Sequence, residues 1–515
     1  MNAQALLVGV NPARLSGNPY LEIASIAFDS RQVVPGGMFV ALRGGYVDGH
    51  EFLRGARERG AVAAVVETDT LESLVADYPL VIQVASTRAA LATLAANFYR
   101  HPSDNLTVIG VTGTDGKTTT SHFIEAMCRS AGHNTGMIGT VEVRIGADEL
   151  LHESRQTTPE SLLIQGYLSK MVDVEVVTAV VEATSHGLEL HRLDGVTFDI
   201  GVVTNVTREH LDFHETIENY RNAKGGLLRR VRDARSRGKR GIVVSNADDE
   251  GARSIEHYAD NCRIIRYSTF EDVTADVRAT NIESDSRGSD FVIATPSGGA
   301  SVRIQLPGSY NVANALAAAA TGVALDMQPE QIAAGLSSLA SVPGRMESVD
   351  EGQPFAVIVD YAHTPEAIRS VLSEARKLTR NRLLILFGSA GERDVGKRAE
   401  QGAIAVTHAD FAVFTSEDPR FEDADAIVAD IAQGANEAGG HAGVNYECIE
   451  DRNQAIASIL EHATSGDVVV LAGKGHERSM IYGAEKRPWH ESNIARDVLH
   501  SMGYRRASDD TSEAR

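Results

Sequence analysis

The sequence predicts an α/β protein of three domains, with a phosphate-binding loop at the start of the middle domain. Short apolar segments alternate with helix-like stretches along most of the 515 residues, a pattern typical of parallel sheets covered by helices. The glycine-rich segment TGTDGKTTT (112–120) follows the apolar run 106–111 and precedes a helix-like stretch. The length exceeds what one hydrophobic core usually organises, so about three domains are expected.

The first domain is predicted over residues 1–103, because this part ends at the segment HPSDN (101–105), which favours a turn or linker. The middle domain, 104–341, contains the strand-like segments VVTAVVEA, DIGVVTNV and GIVVSN. The third domain, 342–515, is expected to have a Rossmann-like sheet built from FAVIVDYAH, RLLILFGSA, DFAVFTSED and DVVVLAGKG. In such sheets ligands sit at the carboxyl ends of the strands. The polar tail from about Arg506 is expected to be disordered.

Composition and charge exclude several classes of function. With 43% hydrophobic and 23% charged residues, and no apolar run long enough to span a bilayer, the chain is expected to be cytoplasmic and not inserted in a membrane. The first residues do not resemble a secretion signal. The three cysteines are widely spaced, which argues against a disulfide framework or a zinc cluster. A net charge of -21 argues against nucleic-acid binding.

The glycine-rich loop has the composition of a phosphate cradle. Gly113 and Gly116 permit backbone angles that let consecutive N–H groups face phosphate oxygens at a helix N-terminus. Lys117 would reach the terminal phosphates, and Thr118 would bind Mg²⁺. Val111 stands where the standard loop has a glycine, so this is a shortened variant. An ordinary strand-to-helix turn would not need both the lysine and the threonine.

A second cluster, EATSHGLELHRLDG and TNVTREHLDFHETIENYRNAK, has candidate metal ligands. Glu182, at a strand end, and His210 can supply a carboxylate and an imidazole to a divalent ion, with Asp212 and His214 nearby. His210 could equally be a packed structural histidine. Lys224, four residues after Tyr220 on a helix, would by spacing alone be a solvated surface lysine.

The segments GSYNVANALAAAA, VPGRME and VDYAHTPEA form a third cluster. Asn311 and Asn314 lie where a strand gives way to a helix and could be simple helix caps. Arg345 could be a phosphate ligand or part of a hinge salt bridge. Asp360 and His363 end an apolar strand, which favours a role in a site.

A fourth cluster, GSAGERDVGKR, TSEDPRFED and AGKGHE, places three polar loops at strand ends of the third domain. Arg393 and Arg420 present planar forks suited to carboxylates, while Glu417, Asp418 and Glu477 suit ammonium groups. This combination predicts an amino-acid pocket.

Taken in order, these motifs resemble those of the Mur ligase family, and within it the MurE type, the UDP-N-acetylmuramoyl-tripeptide synthetases. The resemblance covers nearly the whole chain. It rests on DSR (29–31), PGGMFVALRGGYVDGHEF, GTDGKTT, TTPE, SHGLELHR, EHLDFH, YRNAK, NVANA, VPGRME, DYAHTP, GERDVGKR, EDPR and GKGHE. The family architecture has an amino-terminal domain for the uridine end of the substrate, a central P-loop ATPase domain, and a Rossmann-like carboxyl-terminal domain that closes over both with the incoming amino acid.

The resemblance implies roles for individual residues. Ser30 would bind the UDP moiety, and the muramoyl-dipeptide would lie along Thr157, Thr158, Thr184 and Arg192. ATP would be bound by Gly113, Thr114, Asp115, Gly116, Lys117, Thr118, Thr119, Asn311, Asn314, Arg345, Asp360 and His363. Magnesium would be held by Thr118, Glu182, His210 and Lys224, the last as the carbamate found in the family. The amino acid would meet Arg393, Glu417, Asp418, Arg420, Gly473 and Glu477. Lys117, Lys224, His210 and Glu182 would be the catalytic residues.

The implied activity is ATP-dependent amide-bond formation in peptidoglycan synthesis. A third amino acid would join UDP-MurNAc-L-Ala-D-Glu through an acyl-phosphate intermediate, with ATP and Mg²⁺ as cofactors and the protein acting as a monomer. Two departures concern dipeptide contact: Thr184 stands for a usual serine and Leu190 for a frequent glutamine. The alternatives are a folylpolyglutamate synthase-like ligase, which would not need the amino-terminal motifs, and a nucleotide-dependent switch that has lost ligation.

The incoming amino acid is predicted from Asp418. Ligases that use meso-diaminopimelate usually have DNPR where this chain has EDPR (417–420). An asparagine can donate a hydrogen bond to the distal carboxylate of diaminopimelate, whereas an ionised aspartate only accepts and would repel it. Lysine or ornithine is therefore favoured over diaminopimelate, although Asp418 could also meet the distal amino group that diaminopimelate carries.

Overall fold

The computed structural model describes residues 1–44, 47–151 and 156–505. The chain forms two compact units: Met1–Arg278 with Ala294–Gly298 and Leu316–Gly335, and Ala279–Ile293 with Gly299–Ala315 and Leu336–Arg515. The predicted disordered tail lies outside the described residues. Within the part of the chain that the structure describes, no helix combines the length and apolar character needed to cross a membrane. The predicted domain boundaries at 103 and 341 stay predictions.

The first unit begins with a small sheet of order β1-β5-β4-β3-β2. Its strands are β1 (Arg14–Gly17), β2 (Ile26–Ala27), β3 (Met38–Val40), β4 (Ala63–Glu67) and β5 (Leu80–Val84). Its helices are α1 (Ala3–Leu6), α2 (Leu53–Glu58), α3 (Glu72–Val75) and α4 (Thr87–Phe98), with 3-10 turns at Ser30–Gln32, Gly49–Phe52 and Pro102–Asn105. β1 is antiparallel to β5 and the other pairs are parallel.

The same unit contains a second sheet, whose order from β13 is β13-β12-β11-β6-β10-β7-β8-β9. The strands are β6 (Thr107–Thr112), β7 (Thr135–Ile138), β8 (Glu142–Ile145), β9 (Asp148–Leu151), β10 (Thr178–Glu182), β11 (Ile200–Val203), β12 (Ile242–Asn246) and β13 (Arg263–Ser268). The helices are α5 (Lys117–Ser130), α6 (Ser161–Asp173), α7 (Ser185–Glu189), α8 (Leu211–His214), α9 (Ile217–Arg235) and α10 (Glu250–Ser254), with a 3-10 turn at Glu256–Ala259.

Parallel pairing from β13 to β7 aligns the carboxyl ends of these strands at one edge of the sheet. The predicted strands VVTAVVEA, DIGVVTNV and GIVVSN are confirmed as β10, β11 and β12. Their buried apolar residues alternate between the two faces, so helices cover both sides.

Between residues 277 and 338 the chain passes back and forth between the two units. This stretch forms β14 (Val277–Asp285), β15 (Gly288–Thr295), β16 (Gly298–Ile304), α11 (Ser309–Ala324) and α12 (Pro329–Ser338).

The second unit is a doubly covered sheet of order β17-β18-β22-β19-β20-β21. Its strands are β17 (Glu347–Val349), β18 (Ala356–Val359), β19 (Leu383–Phe387), β20 (Phe411–Phe414), β21 (Tyr446–Cys448) and β22 (Val468–Leu471), followed by the hairpin β23 (Ser479–Tyr482) and β24 (Glu485–Pro488). Its helices are α13 (Pro365–Leu378), α14 (Gly396–His408), α15 (Ala424–Glu437), α16 (Arg452–His462) and α17 (Glu491–Ser501).

Alternate strand residues of this sheet belong to different cores. Ile385 packs in one apolar cluster, whereas its neighbours Leu384 and Leu386 pack in another. The strands from β18 to β21 are parallel, and β22 lies between β18 and β19, so the strand order reverses there. The crevice at such a reversal is the usual ligand site of a doubly wound sheet.

Candidate active site

The glycine-rich loop joins β6 to α5 as predicted, and the structure requires its glycines. Gly113 and Gly116 have φ angles of 155° and 81°, and a Cβ built on Gly113 would collide with the hydroxyl oxygen of Thr204. Gly116 is the N-cap of α5 and provides no capping side chain. The first N–H groups of α5 are therefore available to an anion at the positive end of the helix.

Two lysines converge on this loop. The Nζ of Lys117 donates to the carbonyl oxygens of Gly113 at 2.9 Å and Thr114 at 2.7 Å. The Nζ of Lys224, on α9, donates to the same Gly113 oxygen at 2.5 Å. Lys224 is only 1% exposed, so the surface-lysine alternative is wrong. Burial, with the nearby Lys117 charge, lowers the pKa of Lys224 well below its ordinary value.

Tyr220 connects the Lys224 helix to the loop. Its hydroxyl is 3.0 Å from the Thr114 hydroxyl and donates to a Glu209 carboxylate oxygen at 3.3 Å. The Lys224 Nζ lies 4.5 Å from the centre of the Tyr220 ring. Burial raises the pKa of the Tyr220 hydroxyl, which keeps it a neutral hydrogen-bonding group.

Glu182 ends β10 and is fully buried beside the loop. One carboxylate oxygen accepts from the hydroxyls of Thr118 at 3.0 Å and Thr140 at 2.9 Å, and the other accepts from the Thr140 N–H at 3.0 Å. The Thr140 hydroxyl is also 3.0 Å from that of Thr157. A chain of polar groups thus runs from the phosphate loop, through Glu182, to the first of the predicted dipeptide residues.

The other predicted dipeptide residues join the same network. The Thr158 hydroxyl donates to the Glu182 carbonyl at 2.8 Å and accepts from the hydroxyl of Thr184 at 3.0 Å. Arg192 donates to the Thr158 carbonyl at 2.9 Å and pairs with Glu160 at 3.1 Å. The structure therefore brings Thr157, Thr158, Thr184 and Arg192 together. Ser30 opens a 3-10 turn beside the first sheet, capped by Asp29.

His210 lies at the N-cap of α8 with a φ of 53°. Its side chain is 45% exposed, so it is not a packed structural histidine. Its ring is 4.8 Å from that of His186, while Asp212 is exposed and His214 is buried. Within the described residues, no group of three or more histidine, cysteine or acidic side chains could hold a metal ion. Of the four predicted metal ligands, Thr118 and Glu182 are in direct contact with each other.

The remaining predicted ATP residues lie in the second unit. Asn311 and Asn314 are inside α11, which rules out the cap alternative, and the Asn314 amide donates to the Asn311 side chain at 3.1 Å. The Arg345 guanidinium lies 5.3 Å from the Tyr361 ring centre. Asp360 follows β18, and burial raises the pKa of its carboxyl although Arg345 is near. Burial lowers the pKa of His363.

Two of the predicted amino-acid residues, Asp418 and Glu477, contact a buried lysine that was not among the predicted site residues. The Nζ of Lys474 donates to Asp418 at 2.8 Å and to Glu477 at 2.5 Å. Asp418 also accepts from the Ile481 N–H at 3.0 Å and is buried, whereas the Glu477 side chain is 30% exposed. A Cβ built on Gly473 would collide with the Glu417 carboxylate.

Glu417 has an unusual carboxyl group. Its Oε2 is buried without a hydrogen-bond partner among the described residues. Burial raises the pKa of Glu417 to about 7, with Lys474 and Arg452 acting in the opposite direction.

Asp418 and Arg420 have φ angles of 43° and 56°, a conformation that non-glycine residues adopt at a cost and that is concentrated at functional sites. The Arg420 backbone is held by Ile481 and Gly483. Arg393 is exposed on the turn before α14.

Tertiary contacts identify residues that sequence reasoning missed. Thr140 completes the contacts of Glu182, Glu160 pairs with Arg192, and Lys474 neutralises part of the acidic cluster. Glu160 and Lys474 stand inside the motifs TTPE and GKGHE, which could have identified them. Thr140 lies two residues beyond the end of β7, and no local signal marks it.

Comparison with known proteins shows the family. Residues 22–99 match the Mur ligase family catalytic domain, 111–322 the Mur ligase middle domain, and 344–475 the Mur ligase glutamate ligase domain. A UDP-N-acetylmuramyl-tripeptide synthetase of Roseiflexus sp. is 44% identical over 94% of this chain and 96% of its own length. The chain belongs to the Mur ligase family.

Other relatives agree with this assignment to the Mur ligases. A UDP-N-acetylmuramoyl-L-alanyl-D-glutamate--2,6-diaminopimelate ligase of Bacillus cereus is 40% identical over 93% of this chain and 94% of its own. A solved structure of a ligase with the same description is 28% identical, with a TM-score of 0.67 over 98% of this chain and 99% of its own. The expected three-domain α/β architecture of Mur ligases is thereby confirmed.

Proposed function

We propose that this Mur ligase is of the MurE type and joins a third amino acid to UDP-MurNAc-L-Ala-D-Glu at the expense of ATP. The observation that carries the proposal is the polar chain from Thr118 through Glu182 and Thr140 to Thr157. It connects a phosphate cradle with the residues expected to bind the dipeptide. A phosphate donor and a substrate carboxylate bound on either side of Glu182 would be neighbours, as phosphoryl transfer requires.

The chemistry would proceed in two displacements. The side-chain carboxylate of D-glutamate attacks the γ-phosphorus of ATP, and ADP leaves. The amine of the incoming amino acid, having lost a proton, then attacks the acyl carbonyl, and phosphate leaves as the amide forms. Lys117 and the α5 amides would stabilise the charge on the transferring phosphoryl group in a site where their dipoles are already oriented.

The residues present fit a magnesium ion. Mg²⁺ prefers oxygen ligands and keeps several waters, so one carboxylate and one hydroxyl suffice when phosphates supply the rest. Thr118 and Glu182 provide these oxygens in direct contact, and bound Mg²⁺ would offset phosphate charge. His210 and a carbamate on Lys224 would add to this set.

Carbamate formation at Lys224 is chemically reasonable here. The reaction needs a neutral amine, and burial beside Lys117 favours that form. The product would be an anion close to the loop, where the unmodified side chain is a hydrogen-bond donor to Gly113.

For the third amino acid we propose a diamino acid, with lysine or ornithine favoured over meso-diaminopimelate. Lys474 offsets the charge of Asp418, so the preference cannot be argued from Asp418 alone. However, Lys474 pairs with two carboxylates, so the partly exposed Glu477 can still accept a hydrogen bond from the distal ammonium group of the incoming amino acid. Arg420 and Arg393 would meet the carboxylates. A cytoplasmic location follows from the use of ATP and a UDP-linked substrate.

Coupled turnover tests this function. ADP release is measured with purified protein, ATP, Mg²⁺ and every combination of UDP-MurNAc-L-Ala-D-Glu with lysine, ornithine or meso-diaminopimelate. The proposal expects release only when dipeptide and amino acid are both present, with tripeptide formed in equal amount. ADP release with neither would favour a nucleotide-dependent switch. Ligation of glutamate to a folate instead would favour the folylpolyglutamate synthase alternative.

A further inference from the structure

A fully buried ion pair lies beneath the loops that contain Asp418 and Lys474. Arg452, the first residue of α16, is 1% exposed, and Glu491, the first residue of α17, is 0% exposed. The guanidinium meets the carboxylate in a fork, with Nε 3.2 and 3.1 Å from its two oxygens and Nη2 2.6 Å from one of them. The Trp489 indole N–H also donates to Glu491 at 2.6 Å. The orientation of the guanidinium is therefore fixed.

The rest of the guanidinium connects two loops. Nη1 donates to the Ser416 carbonyl at 3.1 Å, and Nη2 donates to the Ala472 carbonyl at 2.6 Å. Ser416 immediately precedes Glu417 in the EDPR segment, and Ala472 immediately precedes Gly473 in the GKGHE segment. One side chain thus holds the backbone on which the predicted amino-acid pocket is built.

The sheet cannot provide this connection by itself. β20 and β22 are not neighbours, because β19 lies between them. Their hydrogen bonds to β19 end with the N–H groups of Thr415 and Ala472. Beyond those residues, the separation of the two loops depends on side chains. The Arg452 guanidinium donates to a carbonyl oxygen in each loop, those of Ser416 and Ala472.

We propose that Arg452, oriented by Glu491, is a positioning residue that sets the spacing of the EDPR and GKGHE loops and so the geometry of the amino-acid pocket. It touches no substrate; it acts through Glu417, Asp418 and Lys474, which follow the anchored carbonyls. The inference rests on the proposed function, because that function assigns the pocket to an amino acid. A small displacement of positioning groups is enough to cost about a hundredfold in rate.

The test compares conservative variants of the buried ion pair, beyond the carboxyl-terminal end of β22, with a matched control at the amino-terminal end of that strand. Arg452→Lys keeps the positive charge beside Glu491 but cannot form a fork to two carbonyls. Arg382→Lys is the matched control, since Arg382 pairs with the buried Asp467 at the amino-terminal ends of β19 and β22 at 2.8 Å. Glu491→Gln, which keeps the side-chain volume, is the second test variant.

The measurements are KM for the amino acid, for ATP and for the UDP-dipeptide, together with melting temperature. We expect Arg452→Lys to raise the amino-acid KM about tenfold or more and to leave both other KM values within about twofold. Glu491→Gln should change KM in the same direction by less, and Arg382→Lys should not change it. An unchanged amino-acid KM in folded Arg452→Lys, or an equal rise in Arg382→Lys, would overturn the proposal.

Amide hydrogen exchange separates this inference from the function on which it rests. Arg452→Lys should speed exchange in residues 415–420 and 472–477 relative to wild type, whatever the substrate is. If wild-type protein ligates none of the amino acids, the proposed function fails, while exchange still decides whether the pair holds these loops. Unaltered exchange in both segments would refute the positioning role even in an active enzyme.

Discussion

Replacement of Glu417 by glutamine should stabilise the protein in a pH-dependent way. The Glu417 carboxyl is buried three residues beyond the end of β20, and its Oε2 has no hydrogen-bond partner among the described residues. Burial raises its pKa from 4.5 to about 7. The unfolded chain ionises this group near its ordinary value, while the folded protein resists ionisation until neutral pH.

The sign follows from proton binding in the two states. Between pH 4.5 and about 7 the folded state holds a proton on Glu417 that the unfolded state has lost, so stability falls as pH rises through this range. Below that range both states are protonated, and above it both are ionised. At about 1.4 kcal/mol per pKa unit, the full effect is about 3 kcal/mol against the folded state above pH 8. Glu417→Gln removes this cost because glutamine does not titrate.

The assay is urea denaturation of wild type and Glu417→Gln at pH 6, 7, 8 and 9. The difference in unfolding free energy should grow in favour of the variant by about 1 kcal/mol between pH 6 and 7, and level off above pH 8. Glu422→Gln is the control, because the Glu392 N–H and Arg398 lower the pKa of Glu422, so its difference should stay constant from pH 6 to 9. A constant difference for Glu417→Gln as well would refute the reasoning.

Three further predictions concern activity. Lys117→Ala should lower kcat by about a hundredfold or more, because a phosphate-stabilising charge is lost, while calorimetry finds the affinity for the UDP-dipeptide unchanged. The control is Lys170→Ala, on the exposed side of α6. Ligation by the Lys117 variant at a rate comparable to wild type would contradict the assignment. Lys224→Ala should be severely impaired, and a small carboxylic acid that fills the vacated space should partly restore its activity. Lys224→Arg, which keeps the positive charge, should stay inactive. Full activity of the alanine variant would argue against a carbamate. Asp418→Asn removes one of the two carboxylates that pair with Lys474. It should raise kcat/KM for meso-diaminopimelate relative to lysine by about fivefold, which corresponds to about 1 kcal/mol. An unchanged ratio in a competition assay would show that Asp418 does not set selectivity.

Much of the architecture could be predicted because it depends on local pattern. Continuous apolar runs such as TAVVE in β10 and LLILF in β19 are typical of parallel strands buried on both faces. Each was followed in the sequence by polar or glycine-rich residues, and parallel pairing places those residues at one edge. The positions of Glu182 at the end of β10 and of Glu417 in the loop after β20 follow from this pattern.

Burial of Lys224 was not evident from helical spacing, although one local signal was present. Gly225 and Gly226 follow it inside α9, where glycine costs about 1 kcal/mol relative to alanine. A Cβ on Gly225 would collide with the Tyr258 ring, so the glycine allows α9 to pack closely. Glycines in the interior of a helix therefore indicate close packing of α9, although the contacts that bury Lys224 itself are with the Gly113 carbonyl oxygen and the Tyr220 ring.

The pairing of charges in the acidic cluster could not be predicted from local pattern. Lys474 and Asp418 are 56 residues apart, and Arg452 and Glu491 are 39 residues apart, so their contacts depend on how the loops at the sheet edge are arranged. From the sequence, Glu417, Asp418 and Glu477 were all expected to suit ammonium groups of a ligand. Instead, burial raises the pKa of Glu417 to about 7, Asp418 pairs with Lys474, and Glu477 is partly exposed.

The pairing of Lys474 with Asp418 and Glu477 changes how selectivity for the third amino acid should be understood. If Asp418 faced the ligand directly, its replacement by asparagine would remove one full negative charge from beside the ligand. Because Lys474 lies between Asp418 and Glu477, replacing Asp418 would act through Lys474, which could then pair with Glu477 alone and lower its capacity for a distal ammonium group. The proposed preference for lysine or ornithine therefore depends on the charges of Lys474 and Glu477 as well as on Asp418, the residue that departs from the DNPR pattern.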